Sequence, residues 1–194
     1  MTGTQHSSNE RTTTYATSAD FCRIFKEDMT GLYSLSLMLA ADPEKAEQLF
    51  VSGLDDCVAS NPVFKEWARS WARRVIVKAA VRLIAPGPAS ANGGSSNATN
   101  RALPEMPPQI HAVLELGGFE RFAFILSVLE GYSDQDSALL LGCTRQSLIV
   151  ARVRAEQQIA RSVAVLERRQ AEAIPNNHES AIESALPALL AIPA

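Results

Sequence analysis

Residues 131–155, GYSDQDSALLLGCTRQSLIVARVRA, constrain the fold more than any other stretch of this chain. Ser133 stands where a helix N-cap is needed, and Asp136 follows at capping-box spacing. The apolar run Ala138 to Leu141 ends at Gly142, a residue that adopts the left-handed helix stop without steric cost. Thr144 then stands as the cap of a second helix, with Ser147 at its N3 position. Two caps and a glycine at these spacings specify helix, tight turn, helix.

The rest of the chain is helical in period. Phe21, Phe25, Leu32, Leu35 and Leu39 fall on one face of a predicted first helix. Asp42-Pro43 restarts the chain as a capping Asp with Pro at the first helical position. The second helix then presents Ala46, Leu49, Phe50, Gly53 and Leu54 to a core. A third is predicted from near Pro62, stacking Phe64, Trp67, Trp71 and Val75, with Arg74, Lys78 and Arg82 as a basic stripe on its flank. Residues 85–107 are rich in Pro, Gly, Ser and Asn without periodicity, which reads as a flexible linker between two domains. Beyond it a short helix holds Ile110, Val113 and Leu114 and breaks at Gly117-Gly118. Phe122, Ile125, Leu126 and Leu129 mark the next helical face. The second helix of the turn motif is predicted to continue to Gln170 through Ile159, Val163 and Leu166. The expectation is an all-α protein: a disordered N-terminus 1–17, a three-helix domain 18–84, the linker 85–107, a helical domain 108–170 and a tail 171–194.

Charge is distributed unevenly about a net of −3. Residues 64–84 carry Lys65, Arg69, Arg73, Arg74, Lys78 and Arg82 against Glu66 alone. Residues 144–170 carry Arg145, Arg152, Arg154, Arg161, Arg168 and Arg169 against Glu156 and Glu167. Two basic helices in an acidic background suit two nucleic-acid contacts, the alternative being two solvated faces. The second helix of a helix-turn-helix usually enters the major groove, where Arg reads guanine and Gln reads adenine. Arg145, Gln146 and Ser147 hold the exposed start of that helix. Arg152 and Arg154 lie further along it, within reach of phosphates, and Thr144 both caps and touches the backbone. Leu148 and Ala155 should point inward, while Ile149 and Val150 suit thymine methyls or a protein surface.

Other chemistries are poorly represented. Cys22, Cys57 and Cys143 are far apart in apolar contexts and read as small buried hydrophobes in a reducing compartment. With three histidines and no Cys/His cluster, no metal or other cofactor is expected. No phosphate loop or nucleophile-base arrangement points to an enzyme. No apolar run approaches the ~20 residues of a membrane helix, and the polar N-terminus lacks a signal peptide's apolar centre, so a cytoplasmic protein is expected. Asp55-Asp56 reads as a helix end in water, and Asn97-Ala98-Thr99 as a chance match to a glycosylation site. The spacing of Trp67 and Trp71 with Phe64 and Val75 assigns both to the core rather than to base stacking.

The order of these parts resembles the extracytoplasmic-function group of the sigma-70 family of RNA polymerase sigma factors, over residues 18 to about 165. In the family's region 4 the pattern is carried by Glu130-Gly131, Ser133, Asp136, Ala138, Leu141-Gly142, Thr144 and Arg154-Ala155, with Phe119-Glu120-Arg121 similar to its Pro-Glu-Arg entry. In region 2 it is carried by Asp42-Pro43-Glu44, Ala46-Glu47, Leu49, Phe64, Trp67 and Ala72-Arg73. The resemblance implies a sigma region 2-like domain and a region 4-like helix-turn-helix domain. It implies core RNA polymerase and promoter DNA as partners, and allows for an anti-sigma factor. Region 4 (Thr144, Arg145, Gln146, Ser147, Arg152, Arg154) would read the −35 element. Region 2 (Arg69, Arg73, Arg74, Lys78, Arg82) would engage the −10 element, and Glu47, Gln48, Val51, Ser52 and Asp55 would face polymerase. The chain departs from the pattern at Phe50-Val51-Ser52, Arg74, Lys78, Ile149-Val150-Ala151 and Arg152. Those departures suit an alternative, a sigma-like regulatory protein that binds polymerase or a partner without starting transcription. A plain helix-turn-helix repressor leaves 18–84 without a role.

Overall fold

A computed structural model describes residues 14–60, 62–87 and 107–173. The fold is all-α. Among the described residues no strand forms, and the one extended pairing is an isolated bridge between Tyr15 and Phe64. The helices are α1 (Ser18–Glu27), α2 (Met29–Ala40), α3 (Pro43–Val58), α4 (Ala68–Ile84), α5 (Pro108–Leu114), α6 (Gly118–Phe124), α7 (Asp134–Leu141) and α8 (Arg145–Ala173).

The expected first helix is two. At Asp28 the backbone turns to φ −108°, ψ 29°, ending α1 and starting α2. Gly31 lies so close beneath that a Cβ there would meet Asp28 Oδ1 at 2.4 Å. The apolar face survives the bend, since Phe21, Phe25, Leu32, Leu35 and Leu39 are all buried. Asp42 caps α3 as expected, accepting from Lys45 N–H at 2.9 Å, with Pro43 in the first turn. Residues 14–17, expected to be disordered, are held. Ala16 N–H donates to Val63 O at 2.7 Å, Lys65 N–H donates to Thr14 O at 3.0 Å, and Thr17 with Asp20 forms a capping box on α1. The Thr17 hydrogen bonds hold the Asp20 carboxyl below its ordinary range.

The third predicted helix starts six residues late. Residues 62–64 are extended, Lys65–Trp67 is a single 3₁₀ turn, and α4 begins at Ala68. The helical phase therefore does not reach back to Phe64. The buried side of α4 is Ala68, Ala72, Val75, Ile76 and Ala79. Trp67, expected in the core, is 57% exposed, and Trp71 is half-buried on the flank. Leu129 is corrected for a similar reason. Residues Ile125–Leu129 form a π turn, closed by Glu130 N–H to Ile125 O at 2.9 Å, whose wider pitch carries Leu129 off the face of Ile125 and Leu126 into solvent. Among the cysteines only Cys57 is fully buried, and burial pushes its thiol up to about 12. Cys143 is half-buried and Cys22 exposed.

One apolar cluster runs through both halves of the chain, from Phe21 and Leu39 to Phe122, Leu126 and Leu148. Residues 88–106, most of the expected linker, and 174–194 lie outside the described residues, as do Asn97 and the apolar stretch of the tail. No described helix is long and apolar enough to cross a membrane.

Candidate nucleic-acid interface

The helix-turn-helix forms as its caps dictate. Ser133 Oγ accepts from Asp136 N–H at 3.1 Å. The Asp136 carboxylate takes the Ser133 hydroxyl at 2.7 Å rather than the backbone N–H of a full capping box. Gly142 sits at φ 61°, ψ 34°, and Cys143 N–H returns to Ala138 O at 3.0 Å, the six-to-one closure of a Schellman motif. Thr144 Oγ1 then accepts from Ser147 N–H at 3.1 Å and opens α8. Leu148, Ala151 and Ala155 are buried and fix the rotation of α8. That rotation leaves Thr144, Arg145, Gln146 and Arg154 exposed, with Ser147 and Ile149 half-buried.

Asp134 organises the arginines of this helix. It occupies the first position of α7, where the helix dipole favours a carboxylate. Arg152 Nη1 donates to its Oδ1 at 2.5 Å, and Arg145 Nε lies 3.8 Å from Oδ2. Arg152 is thus a brace between α7 and α8. The Arg145 contact is long and that side chain is 72% exposed, so the pairing contributes at most ~1 kcal/mol and leaves it free to turn toward a base.

The basic side chains of α4 do not line one groove. Arg69 turns to Glu27 of α1 at 2.5 Å, and Arg82 pairs with Asp56 of α3, which is therefore not a bare helix end. Both pairs are exposed, and exchange with phosphate costs them little. Arg73 turns the other way and is gripped by Glu130. Between these, Arg74 stacks over the Tyr132 ring at 5.5 Å and the Lys78 ammonium over Trp71 at 5.3 Å.

A cavity of about 450 Å³ opens beside them, lined by Pro62, Val63, Phe64, Trp67, Ser70, Trp71 and Arg74. Tyr15 stacks on Phe64 at 4.8 Å and Trp67 meets Phe64 edge-on at 5.2 Å. Trp71 Nε1 is buried with no hydrogen-bond partner among the described residues. The cavity thus brings an aromatic wall and a guanidinium together, with the unpaired Trp71 N–H buried beneath its surface; rings and guanidinium are the groups on which base stacking and phosphate pairing draw. The exposure of Trp67 moves it from the core to this wall. Tyr15, Tyr132 and Asp134, which sequence reasoning did not select, also make contacts here, as does Glu130, which it quoted only for the family pattern. Thr17-x-x-Asp20 was the available signal that the chain near Tyr15 is ordered.

On α3, Glu47, Gln48, Val51, Ser52 and Asp55 are exposed together with Glu44 on one shallow depression. The spacing i, i+1, i+4, i+5, i+8 places them on a single helix face. Among the described residues no three His, Cys, Asp or Glu side chains converge on a metal-sized space. No family model, no curated protein and no solved structure matches the chain.

Proposed function

We propose that this protein is a cytoplasmic sigma-type transcription factor that binds core RNA polymerase and directs it to promoters. It acts by binding rather than by catalysis. The observation that carries the reading is the α7–Gly142–α8 unit, which presents Arg145 and Gln146 exposed at the start of a helix whose rotation is fixed by Leu148, Ala151 and Ala155. In this reading α8 enters the −35 major groove. Arg74, Lys78 and the cavity of Trp67 and Trp71 engage the −10 element, and the Glu47–Asp55 face of α3 meets polymerase. Separate weak contacts then add through shared tethering on polymerase.

The test is a pull-down of purified bacterial core RNA polymerase followed by run-off transcription on genomic fragments. Polymerase binding with discrete transcripts supports the reading. No binding removes it.

A second reading has its own observation. Arg73 is engaged by Glu130, and α4 packs on α7. A sigma-like regulator that binds polymerase without starting transcription fits that closed arrangement. It predicts polymerase capture with transcription at background from every promoter.

A further inference from the structure

The outward line of α8 carries valines where a helix that reads DNA usually carries polar side chains. Leu148, Ala151 and Ala155 are buried. Val150, Val153 and Gln157 each stand two residues past one of them, about 200° around the helix, and so face away from the core. Gln146 begins the same line, because 146, 150, 153 and 157 are spaced i, i+4, i+7, i+11. All four are exposed, Val150 at 37% and Val153 at 43%. Ile149, the other apolar candidate of this helix, is half-buried. The line carries no charge from Gln146 to Gln157, and arginines stand beside it. Arg154 follows Val153, exposed and in no ion pair among the described residues. Arg145 precedes Gln146 on the other flank, with only its long contact to Asp134. Glu156, the one acid between residues 145 and 158, lies on the Arg145 flank about three turns further along.

We propose that α8 reads thymine methyl groups through Val150 and Val153, and so selects DNA with two adjacent A·T pairs beside an adenine read by Gln146. The inference rests on the sigma-type reading only in seating α8 in a major groove. There a helix gives its outermost line to base edges and its flanks to phosphates. The thymine 5-methyl is the one apolar group on those edges. A valine against it removes water from two apolar surfaces. A valine against cytosine N4, adenine N6 or guanine O6 strips hydration and returns no hydrogen bond, so the same side chain rejects other bases. Val150 and Val153 are ~4.5 Å apart along the axis at ~1.5 Å per residue, close to the ~3.4 Å base step, which places them over neighbouring pairs. Gln146 lies ~6 Å before Val150, one to two pairs away, where its amide pairs with adenine in bidentate fashion. Size and charge argue against a protein occupant. A stable protein contact buries about 800 Å² a side, of which two valines bracketed by glutamines supply little, whereas arginines on both flanks match phosphates.

The test is selection from a pool of random DNA duplexes by the full chain, alone and with core RNA polymerase, followed by affinity measurements on the enriched duplex. Each thymine is replaced in turn by deoxyuridine, which lacks only the 5-methyl. The expected result is a roughly fourfold loss at each of two adjacent positions, the worth of burying one methyl, and none elsewhere. Val150→Ala and Val153→Ala each lower affinity by a similar factor, and each makes one of these positions insensitive to deoxyuridine. Both valines are exposed, so the alanine variants melt with the parent. Where cytosine replaces a contacted thymine, 5-methylcytosine restores part of the affinity. An enriched duplex without adjacent A·T pairs overturns the methyl reading, as does a parent indifferent to deoxyuridine, or valine variants that keep the parent's deoxyuridine losses. Weakened polymerase capture in the valine variants, with DNA affinity unchanged, also overturns it and assigns the line to a protein surface. If polymerase does not bind, the sigma reading fails, and selection by the chain alone still decides the base preference. If polymerase binds and no duplex is enriched in either condition, the methyl reading is overturned and polymerase capture stands.

Discussion

The turn between α7 and α8 sets where Arg145 and Gln146 point, and its strain can be measured by one substitution made at two glycines. At Gly142 the backbone is left-handed, φ 61°, and an added Cβ meets nothing within 4 Å. Alanine there feels only the backbone penalty of the left-handed region, about 1–2 kcal/mol. At Gly118, the first residue of α6, an added Cβ also meets nothing within 4 Å, but the backbone is not left-handed. Alanine there restricts the unfolded chain and favours the helix, a gain of about 0.5–1 kcal/mol. The same change of atoms thus acts with opposite sign, for a difference of about 1.5–3 kcal/mol. At ~2–4 °C per kcal/mol for a chain of this size, the two variants should melt about 3–12 °C apart, with Gly118→Ala above the parent and Gly142→Ala below it. The assay is thermal unfolding followed by far-ultraviolet circular dichroism, all three proteins in one buffer. Asn at 142, which tolerates the left-handed region, should recover part of the loss. Coincident melting of the two alanine variants would refute the claim that backbone strain at Gly142 holds the turn.

Three further outcomes follow from the same geometry. If the sigma-type proposal holds, Arg145→Ala combined with Gln146→Ala should abolish −35 selectivity and leave polymerase binding intact; unchanged promoter choice in transcription in vitro removes the base-reading role. Leu148→Ala empties a fully buried site on the inner face of α8 and should cost about 2–5 kcal/mol in denaturant unfolding, and a loss below ~1 kcal/mol shows that α8 is not anchored there. In the native chain a thiol reagent at pH 8 should modify exposed Cys22 first, Cys143 more slowly and Cys57 only on unfolding, since burial pushes the Cys57 thiol up to about 12; equal rates at Cys22 and Cys57 contradict that burial.

Local signals carried much of this far. Asp42-Pro43, Ser133, Gly142 and Thr144 each act through hydrogen bonds or dihedral angles within a few residues, and each does in the fold what its spacing predicts. The inward residues of α8 follow from its period. What was not legible depends on partners distant in sequence, or on a change of helical pitch. Trp67 lies in a 3₁₀ turn that breaks the phase counted from Phe64, and Leu129 lies in a π turn that a 3.6-residue period does not describe. The Arg73–Glu130 pair joins positions 57 residues apart, and nothing near either residue marks the other. Charge counting identified α4 as basic and could not foresee that Arg69, Arg73 and Arg82 each turn to a different carboxylate.

Helix α8 extends roughly 43 Å at ~1.5 Å per residue, yet its fully buried residues, Leu148, Ala151 and Ala155, all lie in its first three turns. Beyond Val163 the side chains that are described stand in solvent. A helix segment of ten residues without tertiary packing is marginal in water. Amide hydrogen exchange along α8 should therefore fall into two regimes, with the amides around Leu148 to Ala155 opening only with the whole fold and those past about residue 163 fraying independently. The end that carries Arg145 and Gln146 is then the slow-exchanging end. Unwinding at the far end, by proteolysis or by a partner that takes up those turns, leaves the orientation of Arg145 and Gln146 unchanged.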